Sequence, residues 1–375
     1  MNVPRICFSA LVSGVVALQP HAAMGAESEV KTEVYGRLPS GQEVKIFTLK
    51  NEHGLIAKVM EYGAILVSME VPDAVGNTAD VTLGYETLDG WLTNSAYFGA
   101  TVGRFGNRIN DGRFMLDGET HSLAKNNAGN HLHGGEVGFD KVLWAGACVG
   151  KNQVIFRYFS KAGEEGYPGN LDVKVTYTLT DADELIWHAE ASTDTPTIVN
   201  IIHHPYWNLS GDASTSIADH HLMIAAEAFL PTDAQMIPTG KIEPVAGTPM
   251  DFRQMTRIGA RIDEPFEPLQ FGGGYDHAWV LGDAKGTRLA ARLHDPKTRR
   301  TLEVHTDQPA IQFYAGNFLD GTTNGKGGIA YTKRSGMCLE TEGFPDAPNQ
   351  PHFPSSVLRP GEKYSHHLIY RFLQK

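Results

Sequence analysis

The feature that most constrains the fold is a strict alternation of apolar and polar side chains over residues 171–180. The apolar positions are Leu171, Val173, Val175, Tyr177 and Leu179, and the residues between them are Asp, Lys or Thr. Successive side chains of a β-strand point to opposite faces, so a period of two indicates a strand with one buried face. This segment is the clearest strand in the chain.

Similar β-rich runs recur along the sequence. They cover residues 44–49, 65–71, 154–159, 185–191, 278–281, 302–306 and 311–314. Turn sequences separate them, at residues 117–118, 168–170, 272–274 and 359–361. No segment of 15 or more residues keeps a helical apolar stripe, and no repeat or linker divides the chain. The sequence predicts an all-β fold, an antiparallel sandwich or barrel, with residues 27–375 forming one domain.

Residues 1–26 have the composition of a secretory signal peptide. Arg5 provides a positive start, residues 6–18 form an uncharged apolar run, and residues 22–26 offer small side chains for cleavage. The alternative is a membrane anchor, but the apolar run is shorter than the roughly 20 residues that a membrane-spanning helix needs. We therefore expect a periplasmic or secreted protein without a membrane anchor.

Charge and cysteine content exclude several classes of protein. The chain has 32 Lys and Arg against 43 Asp and Glu, a formal charge of −11, and no basic stripe, so nucleic acid is not expected as a partner. Three cysteines, none in a CxxC pair, argue against a disulfide scaffold and a structural zinc. The sequence leaves open whether Cys148 and Cys338 form a disulfide. It favours the alternative, in which both are unpaired and serve as small, buried apolar side chains.

Two polar clusters in the first half of the chain offer candidate binding residues. In residues 103–108, Asn107 and Arg108 could donate hydrogen bonds to ligand hydroxyls, although a surface ion pair of the arginine is the more common outcome. In residues 130–135, alternation would put His131 and His133 on one side of a strand, a geometry suited to a ligand or a metal. A metal site would still need a third ligand.

A third cluster, residues 203–209, combines histidines with large aromatic rings. His203 and His204 are adjacent, so in a strand they point to opposite faces and cannot both bind one metal. Tyr206 and Trp207 could stack on the apolar face of a sugar, with polar neighbours binding its hydroxyls. An aromatic core around a hydrogen-bonded histidine explains the same residues equally well.

A fourth cluster, residues 339–349, contains Glu340 and Glu342 after an apolar stretch. In a strand these two carboxylates share a face, and their repulsion would raise the pKa of one of them. A carboxylate with a raised pKa can act as a general base near neutral pH. Two solvated glutamates at a strand end are the alternative.

In order, these segments resemble the successive signatures of the aldose 1-epimerases, or galactose mutarotases. The resemblance extends over residues 34–372. It rests on residues 103–109, 130–135, 164–171, 204–209, 275–277, 312–317, 339–349 and 358–362.

The resemblance implies a large antiparallel β-sandwich of the galactose mutarotase type, a supersandwich. It implies an isomerase that interconverts the α and β anomers of free aldoses such as glucose and galactose, with neither metal nor organic cofactor. The sequence leaves open whether the protein is a monomer or a homodimer. The resemblance makes Glu340 the general base and His204 the general acid. The implied sugar-binding residues are Asn107, Arg108, His133, Tyr206, Asp276 and Gln312.

Two departures from the family pattern affect the expected chemistry. His203 stands where the family commonly has Asn, and Glu342 stands where it commonly has Gln. The second change adds a carboxylate near Glu340 and would raise the pKa of that base. We expect Glu340 to be ionised and His204 protonated in the productive state, with activity falling at both extremes of pH.

Three other functions are compatible with parts of this pattern. Glu340 with Asp276 could imitate the carboxylate pair of a glycoside hydrolase, although His204 would then have no role. A non-catalytic carbohydrate-binding protein would keep the aromatic residues and Arg108 without needing an acid and a base. A hexose-6-phosphate 1-epimerase would need additional cationic residues for the phosphate.

Overall fold

The computed structural model describes residue 1, residues 30–282 and residues 286–374. The predicted signal peptide, apart from its first residue, lies outside this range. Within the described residues, no helix has the length and apolar character needed to cross a membrane.

Short strands make up most of the ordered structure. Those in the first half of the chain are β1 (Lys31–Arg37), β2 (Glu43–Lys50), β3 (Ile56–Met60), β4 (Ile65–Pro72), β5 (Thr78–Asp80), β6 (Ala100–Val102), β7 (Arg108–Ile109), β8 (Arg113–Leu116), β9 (Glu119–Ser122), β10 (His131–Leu132), β11 (Ala145–Val149), β12 (Gln153–Ser160) and β13 (Leu171–Leu179). Those in the second half are β14 (Glu184–Thr193), β15 (Thr197–Ile198), β16 (Ile202–His204), β17 (His221–Ile224), β18 (Ala228–Phe229), β19 (Glu243–Pro244), β20 (Thr256–Arg257), β21 (Asp276–Val280), β22 (Arg288–His294), β23 (Arg300–Thr306), β24 (Ala310–Tyr314), β25 (Cys338–Glu342), β26 (Val357–Leu358) and β27 (Tyr364–Gln374).

Helices in the described residues are short. The α-helices are α1 (Leu88–Leu92) and α2 (Glu267–Gly272). The 3₁₀ turns are Asn110–Gly112, Phe139–Lys141, Glu164–Gly166, Ile217–Asp219, Ile258–Ala260, Lys326–Gly328 and Ala347–Asn349.

Three antiparallel sheets form the framework. The N-terminal sheet has the order β1-β2-β3-β4-β5, and the nine-stranded sheet has the order β11-β12-β13-β14-β27-β23-β22-β17-β20. The C-terminal sheet has the order β19-β18-β21-β24-β25. The remaining strands form the two-stranded pairs β10-β7, β15-β26, β16-β6 and β8-β9. The all-β, antiparallel prediction is confirmed.

The apolar faces of the three sheets meet in one large core. Leu49 and Leu66 come from the N-terminal sheet, Val173 and Trp187 from the nine-stranded sheet, and Phe313 from the C-terminal sheet. Strand β13 buries every second residue, as its alternation predicts. The three sheets therefore share one buried core, as expected of a β-sandwich.

The β-rich runs named from the sequence lie in strands, except that Leu281 follows the end of β21, but the longest strand was not among them. Strand β27 has 11 residues and lies at the centre of the nine-stranded sheet, between β14 and β23.

The sequence prediction for the cysteines is half right. Both are free; Cys338 is buried in β25, whereas Cys148 is exposed on the edge strand β11.

Candidate active site

The C-terminal sheet carries the centre of a polar cavity on one face. Gln312 of β24 lies between Ala278 of β21 and Glu340 of β25 in the strand register. Side chains that pair across strands point to the same face, and so do residues two apart in one strand. Asp276 and Cys338 therefore project to the same side as Gln312 and Glu340.

The opposite face of this sheet is anchored in the main core. Trp279, Phe313 and Leu339 alternate with the cavity residues and are all fully buried in the large apolar cluster. The Thr341 hydroxyl donates a 2.7 Å hydrogen bond to Nε2 of His366 in the nine-stranded sheet, because Nδ1 of that ring donates to the Ile201 carbonyl oxygen. Because apolar packing fixes one face, the strands hold the polar side chains of the other face in rigid positions.

The cavity has a volume of about 590 Å³. The structure brings all eight residues selected from the sequence to its wall, namely Asn107, Arg108, His133, His204, Tyr206, Asp276, Gln312 and Glu340. They come from six separate segments of the chain. A concave site with a few convergent polar groups is typical of small-molecule binding.

His204 and Glu340 form a buried pair at the bottom of the cavity. Nε2 of His204 lies 3.4 Å from Oε1 of Glu340, and each side chain is less than 5% exposed. His204 ends β16, whose neighbour β6 holds the backbone in place. His203 points to the opposite face, as predicted, where its Nε2 lies 2.9 Å from the Tyr177 hydroxyl. His204 is therefore the histidine that faces the cavity.

The left-handed backbone conformations of Asn107 and His133 fix the position of the His133 ring. Asn107 has φ of 64° and His133 has φ of 51°, a region that Asn and His tolerate better than most residues. The Asn107 backbone N–H donates to Nδ1 of His133 at 3.1 Å, and the His133 N–H donates to the Asn107 carbonyl oxygen. Because Nδ1 accepts, the proton of the neutral ring is on Nε2.

Arg108 and Gln312 converge on Asp276. The Gln312 amide donates to Oδ1 of Asp276 at 2.7 Å, and an Arg108 guanidinium nitrogen lies 3.8 Å from Oδ2. The Arg108 Nε also donates to the side-chain oxygen of Asn127 at 3.3 Å. These contacts leave donors and acceptors arranged around one end of the cavity, suited to the alternating hydroxyls of a sugar.

Burial changes the protonation of the central pair. It lowers the pKa of His204 to about 4 and raises the pKa of Glu340 well above its usual value. Repulsion from Asp276 raises the pKa of Glu340 further, and the charge of Arg108 partly opposes this. In the cavity without a sugar, both shifts favour uncharged side chains. Hydrogen bonds from a bound sugar to the carboxylate would favour the ionised form.

Glu342 lies on the same face of β25 as Glu340 and is fully buried. The Asn107 side-chain amide donates to its Oε1 at 3.0 Å. Burial and the charge of Glu340 raise the pKa of Glu342 well above its usual value. The two carboxyl groups share a face, as predicted, and the charge of Glu340 adds to the raised pKa of Glu342.

His133, His204 and Glu340 are also the residues that could hold a metal ion. Their ligand atoms lie within 4.8 Å of one another. However, Nδ1 of His133 already accepts the Asn107 N–H, so its other nitrogen carries a proton and offers a donor rather than a lone pair. A metal would have to displace that hydrogen bond. The donor set fits a hydroxylated ligand better than a cation.

The structure corrects one sequence-based expectation for a neighbouring residue and decides a second point that the sequence left open. His131 does not share a face with His133, because the left-handed backbone at His133 ends the alternation. The His131 ring is buried, with Nδ1 donating to the Ala124 carbonyl and Nε2 accepting from the Tyr167 hydroxyl. Trp207 lies in the main core and not at the cavity wall. Only Tyr206 of that aromatic pair faces the cavity.

Sequence reasoning missed several aromatic residues of the cavity, Tyr97 and Phe318 among them. The Tyr97 ring centre is 4.7 Å from that of His133 and 5.9 Å from that of His204. Phe318 is 63% exposed at the cavity wall and stacks on Tyr314. Tyr97 lies in a short polar loop without a motif, so nothing in the sequence separates it from other surface tyrosines.

The chain is similar to known proteins over most of its length. The pattern of the aldose 1-epimerase family matches residues 45–371. The galactose mutarotase of Bos taurus is 47% identical over 346 residues, covering 92% of this chain and 98% of that protein. The aldose 1-epimerase of Escherichia coli (strain K12) is 38% identical over 340 residues, covering 89% and 97%. The crystal structure of an aldose epimerase homologue from C. elegans matches with a TM-score of 0.81 at 31% identity, covering 87% of this chain and 98% of that chain.

Proposed function

The chain belongs to the aldose 1-epimerase family, and from this membership we propose that it interconverts the α and β anomers of free aldoses, galactose and glucose among them. It is an isomerase of the mutarotase type. The observation that carries the mechanism is the buried His204–Glu340 pair, with 3.4 Å between Nε2 and Oε1, on the wall of a sugar-sized cavity.

Ring opening needs one base and one acid. The Glu340 carboxylate removes the proton from the anomeric hydroxyl, and the electron pair of that O–H bond forms the C1 carbonyl. The C1–O5 bond breaks, and O5 takes the proton from Nε2 of His204. The pair carries one proton throughout this step, now on the carboxyl group.

Ring closure reverses these proton transfers on the other face of the aldehyde. After rotation about the C1–C2 bond, O5 attacks C1 and returns its proton to His204. The carbonyl oxygen takes the proton from Glu340, which regenerates both groups. Arg108, Asp276 and Gln312 hold the remaining hydroxyls so that both reacting oxygens stay within hydrogen-bond distance of the acid and the base.

The alternative functions have less support from the cavity. Among the described residues that line it, Arg108 is the single Lys or Arg, and it already faces Asp276. A phosphorylated sugar would lack a cation for its phosphate. A hydrolase would leave His204 without a role, and a binding protein would not need a buried acid and base at 3.4 Å.

Polarimetry tests this proposal. Freshly dissolved α-D-galactose and α-D-glucose should reach their equilibrium rotation faster with the purified protein. Glucose 6-phosphate should be unaffected, and lactose should release no additional reducing ends. Acceleration confined to the phosphorylated sugar, or cleavage of lactose, would contradict the proposal. Binding of galactose without acceleration would favour the carbohydrate-binding alternative.

We further propose that residues 1–26 direct secretion and that the mature domain, residues 27–375, acts outside the cytoplasm as a monomer or homodimer. The support is the positive start, the apolar run of residues 6–18 and the small residues at 22–26. Expression of the full chain in a Gram-negative host, followed by N-terminal sequencing of the periplasmic fraction, should give a chain that begins near residue 27. Light scattering then gives its oligomeric state. An uncleaved chain in the cytoplasm would contradict the proposal.

A further inference from the structure

Strand β25 contacts both nitrogens of the His204 ring. Oε1 of Glu340 lies 3.4 Å from Nε2, and Sγ of Cys338 lies 3.6 Å from Nδ1. Cys338 and Glu340 are two residues apart in one strand, so they point to the same face with a fixed spacing. The imidazole is held between a carboxyl group and a thiol that belong to the same rigid element.

From this geometry we propose that Cys338 is a positioning residue that orients the His204 ring and supports each of its protonation states during catalysis. This inference rests on the proposed function, because it assigns Cys338 a role through the general acid. Cys338 itself does not line the cavity and contacts no reacting atom. Its effect on the reaction is therefore indirect.

The chemistry of a thiol suits this position. A thiol is both a weak donor and a weak acceptor. When His204 is protonated, or when it has given up its Nε2 proton, Nδ1 carries hydrogen and donates to the sulphur. When the neutral ring carries its proton on Nε2, the S–H group donates to Nδ1. The same contact therefore persists through the whole cycle without moving the ring.

The surroundings keep Cys338 in the neutral thiol form. The side chain is fully buried, and burial together with the charges of Glu340 and Asp276 raises the pKa of the thiol well above its usual value. The neighbouring Tyr206 side chain opposes this rise only in part. A thiolate beside Nδ1 would hold the proton on that nitrogen, whereas the neutral thiol allows both tautomers.

Substitution of Cys338 tests the proposal. Cys338→Ala removes the contact at Nδ1, and we expect kcat for galactose to fall about tenfold, the effect of one lost orienting hydrogen bond, with KM nearly unchanged. Cys338→Ser restores a group that donates and accepts, so it should recover part of the lost kcat. Cys148→Ala, at the exposed cysteine of β11, is the matched control and should behave as the unsubstituted protein.

A structural role alone would give a different result. If Cys338→Ala and Cys338→Ser were equally impaired, or if kcat were unchanged in both, the positioning role would be wrong. A second readout does not depend on turnover. The ¹⁵N shifts of His204, assigned by comparison with His204→Gln, should change at Nδ1 in Cys338→Ala; identical shifts would overturn the proposal.

Failure of the proposed function can be separated from failure of this inference. If the unsubstituted protein does not accelerate mutarotation, the function is wrong whatever the Cys338 variants do. If the unsubstituted protein accelerates mutarotation and the Cys338 variants have the same kcat and the same ¹⁵N shifts, then the inference about Cys338 is wrong and the proposed function stands.

Discussion

Nε2 of His204 and Oε1 of Glu340 lie 3.4 Å apart, although one side chain comes from β16 and the other from β25. Both are buried to more than 95%. Such a pair can share one proton in a site where water competes little, because the low local polarity strengthens each hydrogen bond. The proposed chemistry depends on this contact, and the predictions below follow from its surroundings.

Removal of either member of the pair should abolish most of the activity. For Glu340→Gln and His204→Gln, kcat should fall by about 10² to 10⁴, the usual contribution of a general base or acid. The double variant should be little worse than either single variant, because the two groups act as a unit. Steady-state polarimetry with galactose measures all three. Additive losses would indicate independent roles.

The pH profile of kcat/KM should be bell-shaped. The active pair carries one proton, so activity is lost when a second proton binds or when the last proton leaves. Burial lowers the pKa of His204 to about 4, which places the acid limb at low pH. Burial and Asp276 raise the pKa of Glu340, which moves the alkaline limb upward from the usual range of a carboxylate. A profile that is flat from pH 3 to pH 10 would contradict this assignment.

Glu342→Gln should move only the alkaline limb of the pH profile of kcat/KM. The Gln side chain can still accept the Asn107 amide hydrogen, but it removes the repulsion between the two buried carboxyl groups. We expect the alkaline limb to shift by about one unit to lower pH. Glu33→Gln, on the exposed strand β1, is the control and should leave the profile unchanged. A shift to higher pH would show that Glu342 acts in another way.

His220, which does not line the cavity, should make the free energy of unfolding depend on pH in the acid range. The Leu209 N–H donates to its Nε2, and burial lowers the pKa of His220 to about 4. Between pH 6.5 and pH 4 the unfolded chain then binds more protons, so the free energy of unfolding decreases as the pH falls. This one group contributes on the order of 3 kcal/mol to that decrease.

His220→Gln keeps an acceptor for the Leu209 N–H but does not titrate. Urea unfolding at pH 7 and pH 4.5 should therefore show a smaller loss of stability for this variant than for the unsubstituted protein. His121→Gln, on the surface hairpin β8-β9, should not change the difference. An equal loss in all three proteins would contradict the explanation.

Tyr97 should affect catalysis through its ring. The ring packs on His133 and His204, so Tyr97→Phe should keep most of kcat/KM, whereas Tyr97→Ala should lose about tenfold. Thermal unfolding of both variants controls for a general loss of packing. If Tyr97→Phe were as impaired as Tyr97→Ala, the hydroxyl rather than the ring would be the important group.

The fold was predictable from the sequence where each strand has one buried face. Strand β13 shows this pattern directly, and its neighbours β12 and β14 show it in part. Strand β27 was missed because histidines and an arginine interrupt its apolar residues, so the segment shows no clear strand alternation. Tertiary pairing on both edges makes it a central strand, and no local pattern contains that information.

The candidate site was predictable because its residues lie in recognisable family segments. Their distances were not predictable, since strand register brings Glu340 beside His204 from 136 positions away in sequence. The errors have local physical causes. A left-handed backbone at His133 breaks the strand alternation, and Cys148 is exposed because β11 is an edge strand. Trp207 faces the core because it alternates with Tyr206, which faces the cavity.

The most direct test of the account is exchange spectroscopy of D-galactose at anomeric equilibrium, by two-dimensional proton NMR at neutral pH. With the unsubstituted protein, we predict exchange cross-peaks between the α and β anomeric protons that grow with protein concentration. With Glu340→Gln or His204→Gln at the same concentration, exchange should fall to near the uncatalysed rate. Undiminished exchange in both variants would show that this pair is not the acid and base of the reaction.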